Sequence, residues 1–166
     1  MPHQPVSRPN PTFAFPAGEW DLLVRLPGRV LVAATSAEPD GARQTVAEGL
    51  AGIEAIAAGR ASPSRLVREV VAAIYAERDE DAPVAEEFID APTEIAGVLA
   101  ECRAAGRTLA DRVPAPDAAA YRRWLLAIAG TVCAAAGGGG LFGPGGEPVS
   151  AAEQRFLDEL ATALAA

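Results

Sequence analysis

Residues 36–50, SAEPDGARQTVAEGL, join two segments that both have helical sequence patterns. The preceding segment, RVLVAATSA at residues 29–37, is apolar almost all round, which is typical of a buried helix. Asp40-Gly41 is a common turn pair. Thr45, followed three residues later by Glu48, has the spacing of a capping box, which marks the beginning of a helix. This stretch therefore predicts a helix, a tight turn and a second helix.

The same order of elements returns near the carboxyl end. An apolar helical segment leads into AGGGGLFGPGGEP at residues 136–148, and Ser150 with Glu153 then repeats the capping-box spacing. We interpret this as a weak internal repeat, in which each half contains a buried helix, a glycine turn, a capping box and an amphipathic helix.

Apolar residues recur at helical spacing along most of the chain, and this pattern predicts an all-α bundle of about seven helices with no strand. Leu26-Pro27-Gly28 interrupts the first pattern, which leaves either two short helices or one kinked helix. Trp20 and Trp124 fall within apolar stripes and are predicted core anchors. The predicted core stripes are Val46, Leu50, Ile53 and Ile56; Leu66, Val67, Val70, Val71, Ile74 and Tyr75; Ile95, Val98, Leu99 and Cys102; Tyr121, Trp124, Leu125, Ile128, Val132 and Cys133; and Phe156, Leu157, Leu160 and Leu164.

The chain of 166 residues suits a single domain. Residues 1–17 form a proline-rich tail that we expect to be disordered, apart from docking of Phe13 and Phe15 on the body. Residues 18–166 form the helical domain, whose halves, 18–78 and 94–166, are joined by an acidic linker at 79–93.

The composition limits the possible functions. The net charge is −8, and all 14 basic residues are arginine. An acidic chain is poorly suited to binding nucleic acid or an anionic membrane surface, since both require basic charge. No apolar run reaches the roughly 18 residues of a membrane span, so we expect no membrane insertion.

The cysteine pattern and the amino terminus indicate a soluble cytoplasmic protein. Cys102 and Cys133 both lie within apolar helical patterns, and we expect reduced core thiols rather than a disulfide. The first residues contain five prolines and no continuous apolar core, so they do not have the pattern of a signal peptide.

The turn and the cap together resemble the TerB-like (tellurite-resistance-type) family of all-helical proteins. In that family an apolar helix ends in an Ala-Asp-Gly turn, and after a short gap a glutamate opens the next helix. Here Asp40-Gly41 and Glu48 carry the likeness, and the tail GGGGLFGPGGEPVSAAEQRFLDELATAL resembles the carboxyl end of small bacterial members. The resemblance covers roughly residues 19–166. It implies an acidic turn that can hold a divalent cation, and a role in stress or tellurite-type resistance.

Asp40 and Glu48 have two interpretations. In the structural one, Asp-Gly makes the turn and Glu48 completes the helix cap. In the functional one, Asp40, Glu48 and Glu38 bind Ca²⁺ or Mg²⁺ with backbone carbonyls and water, because hard cations prefer oxygen ligands. The regular spacing of an EF-hand loop is missing, so the sequence does not predict that kind of site.

The glycine-rich run also has two interpretations. Its Gly138, Gly140 and Gly143 match G-x-G-x-x-G, but the run follows a helix rather than a strand, and the chain has no lysine for a Walker A site. We expect a connector whose Leu141 and Phe142 pack on the helices; alternatively, these two residues are presented to a partner.

The sequence favours a non-enzymatic function. The only histidine is His3, in the tail, so no Ser-His or Cys-His pair can be placed on a rigid element, and a structural zinc site is equally excluded. We therefore predict a helical protein without catalytic residues that binds an unidentified protein partner or a divalent cation. The alternative is an enzyme that uses the Asp40 and Glu48 carboxylates as general acid and base.

Overall fold

The computed structural model describes residues 13–37, 42–78, 91–137 and 149–166. Within these ranges the chain forms six α-helices, one short 3₁₀ helix and no strand, which confirms the all-α prediction. The helices are α1 (Ala17–Ser36), α2 (Ala42–Ala58), the 3₁₀ helix (Gly59–Ala61), α3 (Arg65–Arg78), α4 (Ala91–Arg112), α5 (Ala115–Gly137) and α6 (Ala151–Ala165).

Pro27 does not break the first helix, so the number of helices is slightly below the prediction. α1 is one helix of 20 residues with Pro27 inside it. A proline lacks the N–H that would bond to the carbonyl four residues earlier, here that of Leu23. The Tyr121 hydroxyl, fully buried on α5, donates to the Leu23 carbonyl oxygen at 2.8 Å. A side chain from the other half of the chain thus satisfies the group that Pro27 leaves free.

A single hydrophobic core joins both halves. α5 packs against α1, α2, α3 and α6, and α4 packs against α1 and α6. The fully buried large side chains come from both halves, and they include Leu23, Leu26, Val30, Leu66, Val67, Val70, Leu109, Tyr121, Leu125, Ile128, Leu160 and Leu164. Among the described helices, none has the length and apolar character needed to cross a bilayer.

Both cysteines are buried and free, as the apolar pattern predicted. Trp124 is buried, and Trp20 packs partly buried against the core. Phe15 stacks on Trp20 with ring centroids 5.7 Å apart, and Phe13 lies 6.3 Å from Phe15, so the predicted docking of both rings is confirmed. Residues 1–12 of the predicted tail lie outside the described residues.

Two predicted boundaries are wrong. α4 begins at Ala91, so residues 91–93 of the predicted linker are helical, while residues 79–90 lie outside the described ranges. α2 begins at Ala42, so Thr45 lies inside the helix and is not its N-cap.

The second capping box is confirmed: the Ser150 hydroxyl accepts from the Glu153 N–H at 3.2 Å, and the Glu153 carboxylate accepts from the Ser150 N–H at 2.8 Å.

Candidate functional site

The predicted core stripe of α2 is wrong for three of its four residues. Ile56 is buried, but Val46, Leu50 and Ile53 are 67%, 59% and 39% exposed. The spacing identified one helical face correctly, and most of that face points to solvent instead of to the core.

Glycines explain why α2 packs on another face. A Cβ placed on Gly52 would lie 2.5 Å from Leu31 on α1 and 2.9 Å from Val132 on α5, and one on Gly59 would lie 2.9 Å from the Trp124 ring. The absence of a side chain at these positions lets α2 and the 3₁₀ helix approach α1 and α5 closely. The larger apolar side chains on the other side of α2 are thereby turned outward.

An open groove of about 660 Å³ lies beside this outward face. It runs between α1, α2, α3 and α4, and its apolar lining comprises Val24, Leu31, Val32, Ile53, Ile56 and Ile74. Val32 is itself 42% exposed. Ile53 belongs to both the groove and the outward face of α2, so the two form one continuous apolar surface. We call this surface the α1–α2 groove.

Charged residues line the edge of the α1–α2 groove. Arg25, Arg29, Glu77 and Glu94 all contribute to its lining. Arg29 bridges α1 to α4, since its guanidinium lies 3.2 Å from the Glu94 carboxylate and 3.0 Å from that of Glu101. These ion pairs hold the α4 side of the groove in place. They also compensate the charge of Arg29.

Tyr75 forms the α3 side of the groove. The Arg60 guanidinium lies over the Tyr75 ring, 4.0 Å from its centroid, in cation–π geometry. This contact joins the 3₁₀ helix to α3 and fixes the ring at the edge of the groove. An apolar floor with charged and aromatic edges suits the apolar side chains of another polypeptide.

Of the three predicted metal ligands, Glu48 alone lies within the described residues. Asp40 and Glu38 lie outside the described residues, and so do Leu141 and Phe142 of the glycine-rich run. Glu48 is described and is only 5% exposed. In the described parts of the chain, no three His, Cys, Asp or Glu side chains form a group that could hold a metal ion.

Glu48 belongs instead to a buried acidic cluster with Glu153 and Cys133. Burial raises the pKa of Glu48, and the Glu153 carboxylate, itself only 2% exposed, raises it further. Burial, with added repulsion from both carboxylates, raises the pKa of the Cys133 thiol to about 12. Glu48 is not among the residues that line the α1–α2 groove, so its shifted pKa does not supply that groove with an acid or base.

The pKa of the other thiol is raised in the same way. Burial raises the pKa of Cys102 to about 12, and the nearby Glu101 carboxylate contributes to this. Both cysteines are therefore neutral thiols at neutral pH, and the thiolate is the nucleophilic form.

No protein-family model matches this sequence, and neither the curated proteins nor the solved structures contain a match to it. The TerB-like resemblance therefore stays a prediction that rests on its sequence motifs.

Proposed function

We propose that this protein is a non-enzymatic helical module that binds a partner protein through the α1–α2 groove. One observation carries the proposal: Val32, Val46, Leu50 and Ile53 are large apolar side chains that are exposed together beside a groove. Single exposed apolar residues are common on protein surfaces, whereas a contiguous apolar patch marks an interaction site.

The chemistry of the groove supports binding over catalysis. Arg29 is engaged by two carboxylates, and Arg60 is engaged by the Tyr75 ring, so both cations have a structural role. The carboxylate with the clearly shifted pKa, Glu48, lies in a separate cluster. The rival enzyme hypothesis needs Asp40 and Glu48 at the mouth of a pocket, and Glu48 does not line this one.

The biological setting is proposed on the sequence motifs alone. The resemblance to TerB-like proteins supports a cytoplasmic role in stress or tellurite-type resistance. The same resemblance supports Ca²⁺ or Mg²⁺ binding by Asp40, Glu48 and Glu38 as a second property.

Site-specific photo-crosslinking in the native host tests the proposed function. A photoreactive phenylalanine analogue at Leu50 is expected to give a discrete adduct with another protein, because Leu50 is exposed on the proposed surface. The same analogue at Ala161, exposed on α6, is the control and is expected to give none. Adding Ile53→Asp should abolish the Leu50 adduct.

Two results would overturn the proposal. The first is equal labelling from positions 50 and 161, which would mean that the Leu50 surface is not selective. The second is an adduct of twice the 17.0 kDa chain mass, which would identify the surface as a contact between copies of this protein.

A further inference from the structure

The amino-terminal turns of α4, residues 91–97, contain no buried residue, and we call this stretch the α4 edge. Burial on α4 begins at Val98 and continues at Leu99 and Cys102. Within the α4 edge, Ile95 packs against the core but is only partly buried, and Gly97 contributes no side chain and lowers the helix propensity. Apolar burial therefore supplies little of the free energy that holds the α4 edge to the other helices.

An ion pair with α1 fastens the α4 edge. Arg29 Nε donates to a Glu94 carboxylate oxygen at 3.2 Å, and the two side chains are only 30% and 14% exposed. A charge-assisted hydrogen bond between partly buried groups is stronger than an exposed surface ion pair. Within the described part of the chain, Glu94 makes no other ion pair. The second carboxylate on Arg29, that of Glu101, lies beyond Val98, where α4 is already anchored by buried side chains.

We propose that the α4 edge is a movable side of the α1–α2 groove, and that the Arg29–Glu94 ion pair is the latch that holds it against α1. Segments with few buried apolar contacts open locally at a lower free energy than the core of the same domain. Arg29 and Glu94 both line the groove, so opening of the α4 edge widens the groove on this side. The inference rests on the proposed function for its purpose, which is to let the groove fit different side chains, but its test needs no partner.

Amide hydrogen exchange of the full chain, measured residue by residue by NMR, tests the movable edge. In a helix the amides of residues 95–98 bond to the carbonyls of residues 91–94, so their exchange reports opening of the α4 edge. The amides of residues 125–129 on α5 lie in the core and report opening of the whole bundle. Protection at 95–98 is expected to be at least about tenfold lower than at 125–129. Equal protection of the two groups would overturn the inference.

Arg29→Gln tests the latch, because it removes the guanidinium and leaves the sequence of α4 unchanged. Glu101 keeps a second arginine, Arg25, at 3.8 Å, so Glu94 is the carboxylate left without a partner. Exchange at 95–98 should rise about fivefold, with little change at 125–129. Arg65→Gln is the matched control, since it changes the net charge equally and breaks the more exposed pair with Glu69 on α3. It should leave exchange at 95–98 unchanged.

Glu94→Gln is the second variant, and it should also raise exchange at 95–98. Glu94 lies in the first turn of α4, so this substitution removes a favourable interaction with the helix amino terminus as well as the latch. In an Arg29→Gln background the latch is already absent, and Glu94→Gln should then have a smaller effect than in wild type. Equal effects in both backgrounds would show that Glu94 acts only on its own helix, and would overturn the latch.

The outcomes separate this inference from the proposed function. Unchanged exchange at 95–98 in Arg29→Gln would overturn the latch. An equal rise at 95–98 and 125–129 would also overturn it, because Arg29 would then stabilise the whole bundle; circular dichroism confirms that each variant is folded. The proposed function is judged by the Leu50 adduct instead: its absence would refute partner binding, and the exchange rates would still decide whether the α4 edge moves.

Discussion

The Tyr121 hydroxyl on α5 donates to the Leu23 carbonyl on α1. This is the carbonyl that Pro27, four residues later, leaves without its helical N–H partner. Because the Leu23 carbonyl has no helical donor, Tyr121→Phe should leave it unsatisfied and lower the free energy of unfolding by about 1–3 kcal/mol. Chemical denaturation measures this loss. In a Pro27→Ala background, residue 27 regains its N–H, so the same Tyr121→Phe substitution should cost less. Equal losses in both backgrounds would show that the hydroxyl does not compensate for Pro27.

Glu48 makes the stability of the protein depend on pH in a predictable direction. Burial and the Glu153 carboxylate raise its pKa in the folded state. A raised folded-state pKa contributes stability below the unfolded-state value, and that contribution is lost as the pH rises through the folded-state value. Of the groups that face Glu48, Glu153 adds negative charge, and Cys133 stays a neutral thiol at neutral pH.

Glu48→Gln should therefore stabilise the protein, and the gain should be larger at pH 7.5 than at pH 4, because the neutral amide removes a buried charge. Denaturation curves of wild type and variant at the two pH values measure the difference. Glu54→Gln, at an exposed position of the same helix, is the control and should give almost no gain at either pH. A Gln variant that is less stable than wild type at pH 7.5 would contradict the prediction.

At the scale of the elements, α2 shows what hydrophobic spacing can and cannot predict. Most of the stripe residues of α3, α5 and α6 are buried as expected, and Val67, Ile128 and Leu160 are fully covered; Ile74, Tyr75 and Leu157 are only partly buried. In α2 the apolar side chains and the small residues lie on different faces, and either face can be the buried one. The close approach of α2 to α1 and α5 decides between them. That choice depends on Leu31, Val132 and Trp124, which are distant in sequence.

The α1–α2 groove could not be predicted from the sequence for the same reason. Its lining comes from four helices, and no short motif contains more than a part of it. The carboxyl-terminal capping box was predictable, because both of its residues lie within one helical turn. The corresponding motif at Thr45 has the same local pattern, yet α2 begins three residues earlier. A cap motif thus predicts that a helix is near, and the surrounding structure selects where it begins.

The glycines of α2 and of the 3₁₀ helix that follows it give a prediction with an internal control. Gly59→Ala would place a Cβ 2.8 Å from Val71 and 2.9 Å from Trp124, whose indole N–H donates to the Ala55 carbonyl at 3.2 Å. The ring cannot move away without straining that bond, so the variant should lose about 1–3 kcal/mol of unfolding free energy. Gly49→Ala meets no atom within 4 Å and should instead gain about 0.5–1 kcal/mol from helix propensity. If chemical denaturation showed similar losses of unfolding free energy for Gly59→Ala and Gly49→Ala, close packing at Gly59 would not be the cause of the loss.

At the scale of the whole molecule, the net charge of −8 means that the melting temperature can rise with any added salt. Any salt screens the self-repulsion of an acidic chain, so a rise in melting temperature with CaCl₂ or MgCl₂ does not by itself show a binding site. A specific site differs in two ways: its effect saturates, and it exceeds the effect of NaCl at equal ionic strength. This distinction decides between the two interpretations of Asp40-Gly41.

We expect the turn to be structural. Glu48 is only 5% exposed, and its pKa is raised by burial and by the Glu153 carboxylate rather than lowered as a cation ligand's would be expected to be. Pro39 precedes the turn, and the corresponding turn before α6 carries no carboxylate except Glu147. Melting temperatures in millimolar CaCl₂ or MgCl₂ should therefore match those in NaCl of equal ionic strength. Asp40→Asn should melt like wild type, since asparagine also tolerates tight turns. A saturable, divalent-specific rise in wild type that Asp40→Asn abolishes would establish the cation site instead.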